Sequence, residues 1–195
     1  MNKLATLFCV GMILAATACA AEESGKAVDL FDGRTLDGWT VIKCEAVVQN
    51  GAILIKSGNG LVQTEKRYGD FVLEWEWKAL KPQKWDSGVY FRYESVPKGR
   101  PWPGRYQVNL RQGMAGNCSG LRGAADQELV KPSGEWNAFR LTVSGSSAAL
   151  EINGKPAWKA DGLKVPEGYI SLQAEVPHGG QFLFRKIRIA AKNAK

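Results

Sequence analysis

In Leu73-Glu74-Trp75-Glu76-Trp77-Lys78 a bulky apolar side chain alternates with a charged one at every step. A period of two is satisfied by an extended strand with one face in a core and the other in water. The pattern recurs along the chain. Val89, Phe91 and Tyr93 oppose Tyr90 and Arg92; Tyr106, Val108 and Leu110 oppose Gln107, Asn109 and Arg111; Ile170 and Leu172 oppose Ser171, Gln173 and Glu175. Runs rich in Val, Ile, Tyr, Phe and Trp at 52–56, 70–79, 88–94, 106–111, 136–144, 148–152, 169–174 and 181–190 lie between Gly, Pro, Asn and Asp turn signals. No stretch sustains a helical period. The expected fold is all-β, a jelly-roll sandwich of two antiparallel sheets packed through their apolar faces, with one polar outer surface per sheet. Asn153-Gly154, between Ile152 and Lys155, predicts a type I′ hairpin, because both turn residues need positive φ. Pro97, Pro101 and Pro103, interleaved with Gly99 and Gly104, mark a long loop, and residues 113–123 a second irregular segment.

The N-terminus has a different character. Lys3 is followed by an apolar run from Leu4 to Ala16 and then by small residues, the layout of an export signal over residues 1–20. The run is shorter than the roughly 20 residues a transmembrane helix needs, and no later stretch is comparably apolar, so no transmembrane span is expected. Ala18-Cys19-Ala20 suits ordinary cleavage and release to the periplasm or medium. Ala16-Thr17-Ala18-Cys19 is a weaker lipobox that would anchor Cys19 instead. Residues 21–27 read as a disordered leader and 28–192 as one domain. The formal charge of +7 is scattered among acidic residues, which argues against a nucleic-acid arm. Cys44 and Cys118 are left either as buried thiols or as a disulfide, with no metal or redox spacing. His178, the only histidine, excludes a zinc site built on histidines and reads as a turn residue, with a lone acid or base as the alternative.

The functional clue is polar and aromatic side chains on the strand faces turned away from the core. Sugars present C–H patches to aromatic rings and hydroxyls to planar amide, carboxylate and guanidinium groups. Glu76, Tyr90, Arg92, Gln107, Asn109, Gln173 and Glu175 supply that inventory for an oligosaccharide or glycoside ligand, against the alternative of an ordinary solvated face. Trp85 and Trp102, in loops, are candidate stacking platforms or caps on the core. No nucleophile elbow, phosphate loop or dinucleotide fingerprint is present, which leaves carboxylate chemistry. Glu74 and Glu76, two apart on one strand, form one such pair.

Leu30-Phe31-Asp32-Gly33, Leu36-Asp37-Gly38-Trp39, Tyr68-Gly69-Asp70-Phe71-Val72-Leu73 with Glu76, Ser87-Gly88-Val89-Tyr90-Phe91-Arg92, Gly134-Glu135-Trp136-Asn137, Asn153-Gly154, Leu172-Gln173-Ala174-Glu175 and Phe184-Arg185-Lys186-Ile187-Arg188-Ile189 occur in this order. Together they resemble the 3-keto-disaccharide hydrolase domain family from about Leu30 to Ala190. That resemblance implies a concanavalin A-like lectin and glucanase fold, and cleavage of glycosides whose glucose carries a ketone at C3. The ketone acidifies the C2 proton; a base removes it and the C1 substituent leaves with acid assistance, by hydrolysis or elimination. An arginine or a divalent cation would stabilise the enolate. The resemblance assigns Glu76, Arg92, Gln173 and Glu175 to the site, with Glu76, Asp86 and Glu175 as catalytic candidates in that order. The sequence departs from the family's habit at Asp86-Ser87-Gly88, where Asn-Ser-Gly is common, and at Gln107-Val108-Asn109, where Glu-x-Gln is common. An amide at 107 keeps hydrogen bonding and gives up proton transfer. Three readings follow: a 3-keto-glycoside hydrolase or lyase, a carbohydrate-binding module without catalysis, and a surface protein with no specific ligand.

Overall fold

The computed structural model describes residues 25–191. The expected export segment and cleavage site, Cys19 and most of the expected leader lie outside the described residues. The strands are β1 (Val28–Asp29), β2 (Trp39–Gln49), β3 (Ala52–Thr64), β4 (Phe71–Ala79), β5 (Gly88–Tyr93), β6 (Gln107–Asn109), β7 (Cys118–Ser119), β8 (Asn137–Ser144), β9 (Ser147–Ile152), β10 (Lys155–Asp161), β11 (Tyr169–Val176) and β12 (Phe182–Ala191). One 3₁₀ turn, Gln127–Leu129, is the sole helical element among the described residues. The strands run in the order β10-β9-β8-β4-β12-β3-β11-β5-β6-β7, all antiparallel, with β1 on β12 and β2 on β3.

This continuous path is folded into two layers at β3. Ile53–Ile55 pair with Phe184–Phe182 of β12, whereas Gly58–Gln63 pair with Val176–Ser171 of β11. The bend falls at Gly58, where φ is 93° and a Cβ would lie 2.7 Å from Cys44 Cα. Only glycine fits such a corner. The sequence expectation ends this strand at residue 56, since Gly58-Asn59-Gly60 has the composition of a turn; the structure uses it as a corner. β2 and β10 are likewise absent from the expected strands. The alternation of β2 is interrupted by register shifts at 42–44 and 45–46, with Lys43 at a φ of 54°. The Asn153-Gly154 turn, with φ values of 51° and 79°, connects β9 to β10 as expected.

The core lies between the layers. Trp75, Trp77, Phe139, Leu141 and Leu150 come from the first sheet, and Val89, Phe91, Tyr106, Val108, Ile170 and Leu172 from the second. Each fully buried Leu or Phe contributes about 1.5–3 kcal/mol. Trp85 belongs to this core. It is 5% exposed and packs 5.5 Å, centroid to centroid, from Trp77. It is therefore not a stacking platform for a ligand: the chain before β5 turns its indole inward to close the end of the sandwich.

Arg92 also departs from the expected face. A bulge at this residue, φ 48°, shifts the β5–β11 register between Tyr90 and Tyr93. Arg92 turns to the end of the sandwich, 1% exposed. Its Nε donates to the Gly69 carbonyl at 2.9 Å, Nη1 to the Gly145 carbonyl at 2.6 Å and the Val165 carbonyl at 3.4 Å, and Nη2 to Asp70 at 2.5 Å. Tyr93, expected in the core with Val89 and Phe91, emerges beside Tyr90 on the outer face. Arg92 thus ties three loops together and does not stand on the outer face with Tyr90 and Gln107.

Cys44 and Cys118 are free thiols, the first half-buried and the second buried. Burial pushes both thiols up, Cys118 to about 12. Both are protonated at neutral pH and poorly nucleophilic. A thiolate-selective reagent is expected to label them in the native protein many times more slowly than after unfolding; fast native labelling contradicts this placement.

Candidate active site

The outer face of the second sheet is built by alternation. β11 turns Leu172 and Ala174 into the core and Gln173 and Glu175 outward; β5 turns Tyr90 outward and β6 turns Gln107 outward. Three of these side chains form a directed chain. Gln107 Nε2 donates to Gln173 Oε1 at 2.5 Å, and Gln173 Nε2 donates to Glu175 Oε2 at 2.9 Å. Gly88, opposite Asn109, makes room for it: a Cβ there would collide with the Gln107 side chain, 2.8 Å from its Cγ and Cδ.

Beyond the strands, three loops close a cleft of about 420 Å³ lined by Lys84, Trp85, Asp86, Arg111, Gln112, Glu175 and His178. Its frame is hydrogen-bonded throughout. The Asp86 backbone N–H donates to the Gly179 carbonyl at 2.9 Å, the Gln112 N–H to the Trp85 carbonyl at 3.0 Å, and the Lys84 N–H to Gln112 Oε1 at 2.6 Å. Lys81 Nζ bridges the His178 carbonyl at 2.6 Å and the Lys84 carbonyl at 3.2 Å.

Two carboxyls meet in this cleft. Burial pushes the Asp86 carboxyl up, and Arg111, 3.7 Å away, only partly offsets it. Glu175 is pushed up by burial and further by the charge of Asp86, against the opposing pull of His178 and Arg111. Burial, then the charges of Asp86 and Glu175, holds the Tyr90 phenol well above its ordinary range, so it remains a donor. A pair of carboxyls that each resist ionisation beside the other can divide acid and base roles between them.

Next to the cleft lies an aromatic wall. Tyr90 and Tyr93, with centroids 6.3 Å apart, pack with Leu61, Trp102 and Tyr169. Trp102, half-buried, donates its Nε1–H to the Ala174 carbonyl at 3.1 Å, which fixes the Pro-rich loop over the sheet. Asn109 lies on β6, but its Oδ1 accepts the Arg111 backbone N–H at 2.8 Å, so it shapes the turn that carries Arg111.

Glu76 is not part of this assembly. Trp75 and Trp77 point into the core from the first sheet, so Glu76 stands on the opposite outer surface of the sandwich, across a core about 10 Å thick. There Arg185 Nε donates to it at 2.6 Å and Lys186 Nζ at 2.7 Å. A bulge at Lys186, φ 50°, brings both cations to the same carboxylate. Partial burial pushes Glu76 up, but the hydrogen bonds and charges of Lys186 and Arg185 outweigh it and hold the carboxyl below its ordinary value. The shallow cleft of about 320 Å³ on this face is lined by ion pairs, Glu74–Arg140 at 3.3 Å and Arg140–Glu151 at 3.2 Å. An ion-paired carboxylate is a poor base. Glu76→Gln is expected to cost on the order of 1 kcal/mol of stability and to leave activity unchanged. Because its folded pKa is depressed, that stability is present above the ordinary carboxylate range and lost as pH falls through the folded value. Chemical denaturation at neutral and acidic pH measures it.

The expected residues therefore divide. Asp86, Tyr90, Gln107, Gln173 and Glu175 come together on one face with Trp102 at its edge; Trp85 lines the cleft while packing its indole into the core, and Glu76 and Arg92 do not join them. Lys84, Arg111, Gln112 and the space left by Gly88 escape the sequence reading. Arg111 alone carries a visible signal, sharing a strand face with Gln107 and Asn109.

A family model described as the 3-keto-alpha-glucoside-1,2-lyase-like domain matches residues 26–190. No curated protein matches the sequence. Among solved structures, a candidate glycosyl hydrolase from Parabacteroides distasonis ATCC 8503 is 20% identical with a TM-score of 0.71, covering 86% of this chain and 100% of the other. A second candidate glycosyl hydrolase from the same organism is 18% identical with a TM-score of 0.70, covering 86% of this chain and 94% of the other. Carbohydrate binding module CBM66 from Bacillus subtilis is 13% identical with a TM-score of 0.57, covering 77% and 94%. At these identities the neighbours establish the jelly-roll fold alone. The family match spans the two sheets and every residue of the cleft, and the chain belongs to the 3-keto-alpha-glucoside-1,2-lyase-like domain family.

Proposed function

We propose that the outer face of the second sheet cleaves glycosides whose glucose carries a ketone at C3. The observation that carries the reading is the cleft in which Asp86 and Glu175 are both pushed up beside the protonated Tyr90. Glu175 as carboxylate takes the C2 proton, and the electrons flow toward the C3 oxygen to give an enolate. Tyr90 and Arg111 stabilise that oxygen. The two carboxyls hold one proton between them, and with it on Asp86 that carboxyl protonates the glycosidic oxygen as the C1–O bond breaks, leaving an unsaturated ketosugar. If water then adds to C1, Asp86 accepts its proton and Glu175 returns its own to C2; both carboxyls are restored and the net result is hydrolysis. Release of the unsaturated sugar before water adds is elimination.

Among the described residues, no group of three or more His, Cys, Asp and Glu converges as metal ligands. No described helix is long and apolar enough to cross a membrane. Export is part of the proposal and rests on the N-terminal pattern; the mass of the mature chain from cell fractions checks it. A second reading, carbohydrate binding without catalysis, is favoured by the two neutral amides Gln107 and Gln173 at the centre of the face. Incubation with a 3-keto-glucoside and its unoxidised counterpart, with and without divalent cations, separates the two. Aglycone release confined to the keto substrate is expected. Folded protein that binds glycans and cleaves neither substrate supports the binding module.

A further inference from the structure

The chain Gln107–Gln173–Glu175 has a direction that its last member imposes. An ionised carboxylate only accepts hydrogen bonds, so Gln173 must turn its NH₂ toward Glu175 Oε2. Its carbonyl Oε1 then faces Gln107, which must answer with its own NH₂. Every other arrangement sets oxygen against oxygen or NH₂ against NH₂. The bond to Oε2 persists whether or not Glu175 is protonated, provided the proton resides on the other oxygen. Gln107 does not line the cleft with Glu175 and reaches it only through Gln173.

Resting on the assignment of Glu175 as base, we propose that Gln107 is a positioning residue: through Gln173 it fixes Oε1 as the oxygen of Glu175 that exchanges protons with the substrate. Gly88 is the condition for this, because a methyl group at that position would occupy the space crossed by the Gln107 side chain. The groups facing Glu175 are Asp86, Arg111 and His178 from the loops, with Lys84 lining the same cleft, Tyr90 from β5, and Gln173 on its own strand. Gln173 supplies a donor to Glu175 that adds no charge, so it orients the carboxylate while leaving its elevated proton affinity to burial and Asp86.

Gln107→Glu tests this at nearly constant shape. The introduced carboxylate offers only oxygen to Gln173, which must flip its amide to donate to it, and Oε1 of Gln173 then faces Glu175. Glu175 loses its donor and gains a nearby negative charge. The carboxyl titration of Glu175, followed by NMR of carbon-13-labelled glutamate with Glu175→Gln to assign the signal, should move to higher pH. The rising limb of the kcat profile should move with it, and kcat at neutral pH should fall about tenfold with little change in KM. Gly88→Ala, which displaces Gln107 sterically, should also remove the donor. Gly88→Ala with Gln107→Ala relieves the collision without restoring the relay, so stability recovers and kcat does not. An unchanged Glu175 titration in Gln107→Glu overturns the proposal. If the titration moves while Glu175→Gln itself retains full activity, the relay stands and the assignment of the base falls.

Discussion

Replacing Glu175 by glutamine is expected to lower kcat on a 3-keto-glucoside by about 10²- to 10⁴-fold, the usual contribution of a positioned general base. KM should change little, since the amide oxygen at 175 can still accept from Gln173. The same substitution should raise the melting temperature at neutral pH. Glu175 has a folded pKa above its unfolded one, so the fold favours its protonated form, and stability is lost as pH rises from the ordinary carboxylate range through the folded value. Glutamine removes that cost. Asp86→Asn should move activity and stability in the same directions, because burial pushes its carboxyl up as well. Loss of activity with gain of stability marks a group held in an unfavourable state for function. A Glu175→Gln protein that turns over normally, or that is less stable than wild type at neutral pH, contradicts the assignment.

Arg92→Met should destabilise the protein by about 3 kcal/mol or more. The guanidinium is 1% exposed, and its removal leaves the Gly69, Gly145 and Val165 carbonyls without this donor and the Asp70 carboxylate with the Gly145 N–H but no cation. Arg92→Lys should recover little, because a point charge cannot reproduce the planar fork that reaches three segments at once. The free energy of urea denaturation measures both. If Arg92→Met stays within about 1 kcal/mol of wild type, the ordinary range for surface changes, while cleavage is abolished, Arg92 is a ligand of the substrate instead of a structural clamp.

The fold is legible because most strands carry their own alternation, and Phe71–Ala79 buries every second residue along its length. What the alternation hides is the exception. A single residue with positive φ, Arg92 or Lys186, inverts the faces that follow it, and nothing in Val89-Tyr90-Phe91-Arg92-Tyr93 announces the bulge. Glu76 heads the catalytic candidates in the sequence, yet which outer face a strand presents depends on which sheet it joins. The long-range pairings of β4 with β8 and β12 decide that. Other motif residues prove architectural. Trp39 donates its Nε1–H to the Leu30 carbonyl at 2.6 Å, and Asn137 holds the Lys131 N–H at 2.8 Å and the Asn153 side chain at 3.0 Å. The cleft itself is made by loops brought together across the chain, with Asp86 held to Gly179 and Lys84 to Gln112. Such contacts leave no local periodicity to read.

In the proposed reaction it is the outer face of the second sheet that meets substrate. Titrating nitrogen-15-labelled Glu175→Gln protein with a 3-keto-glucoside tests it most directly, since the variant is expected to bind without turnover. Shift changes are expected at the side-chain amides of Gln107 and Gln173 and at the backbone of Asp86, Tyr90 and His178. Changes centred instead on Glu76, Arg140 and Glu151, on the far side of the sandwich, would contradict it.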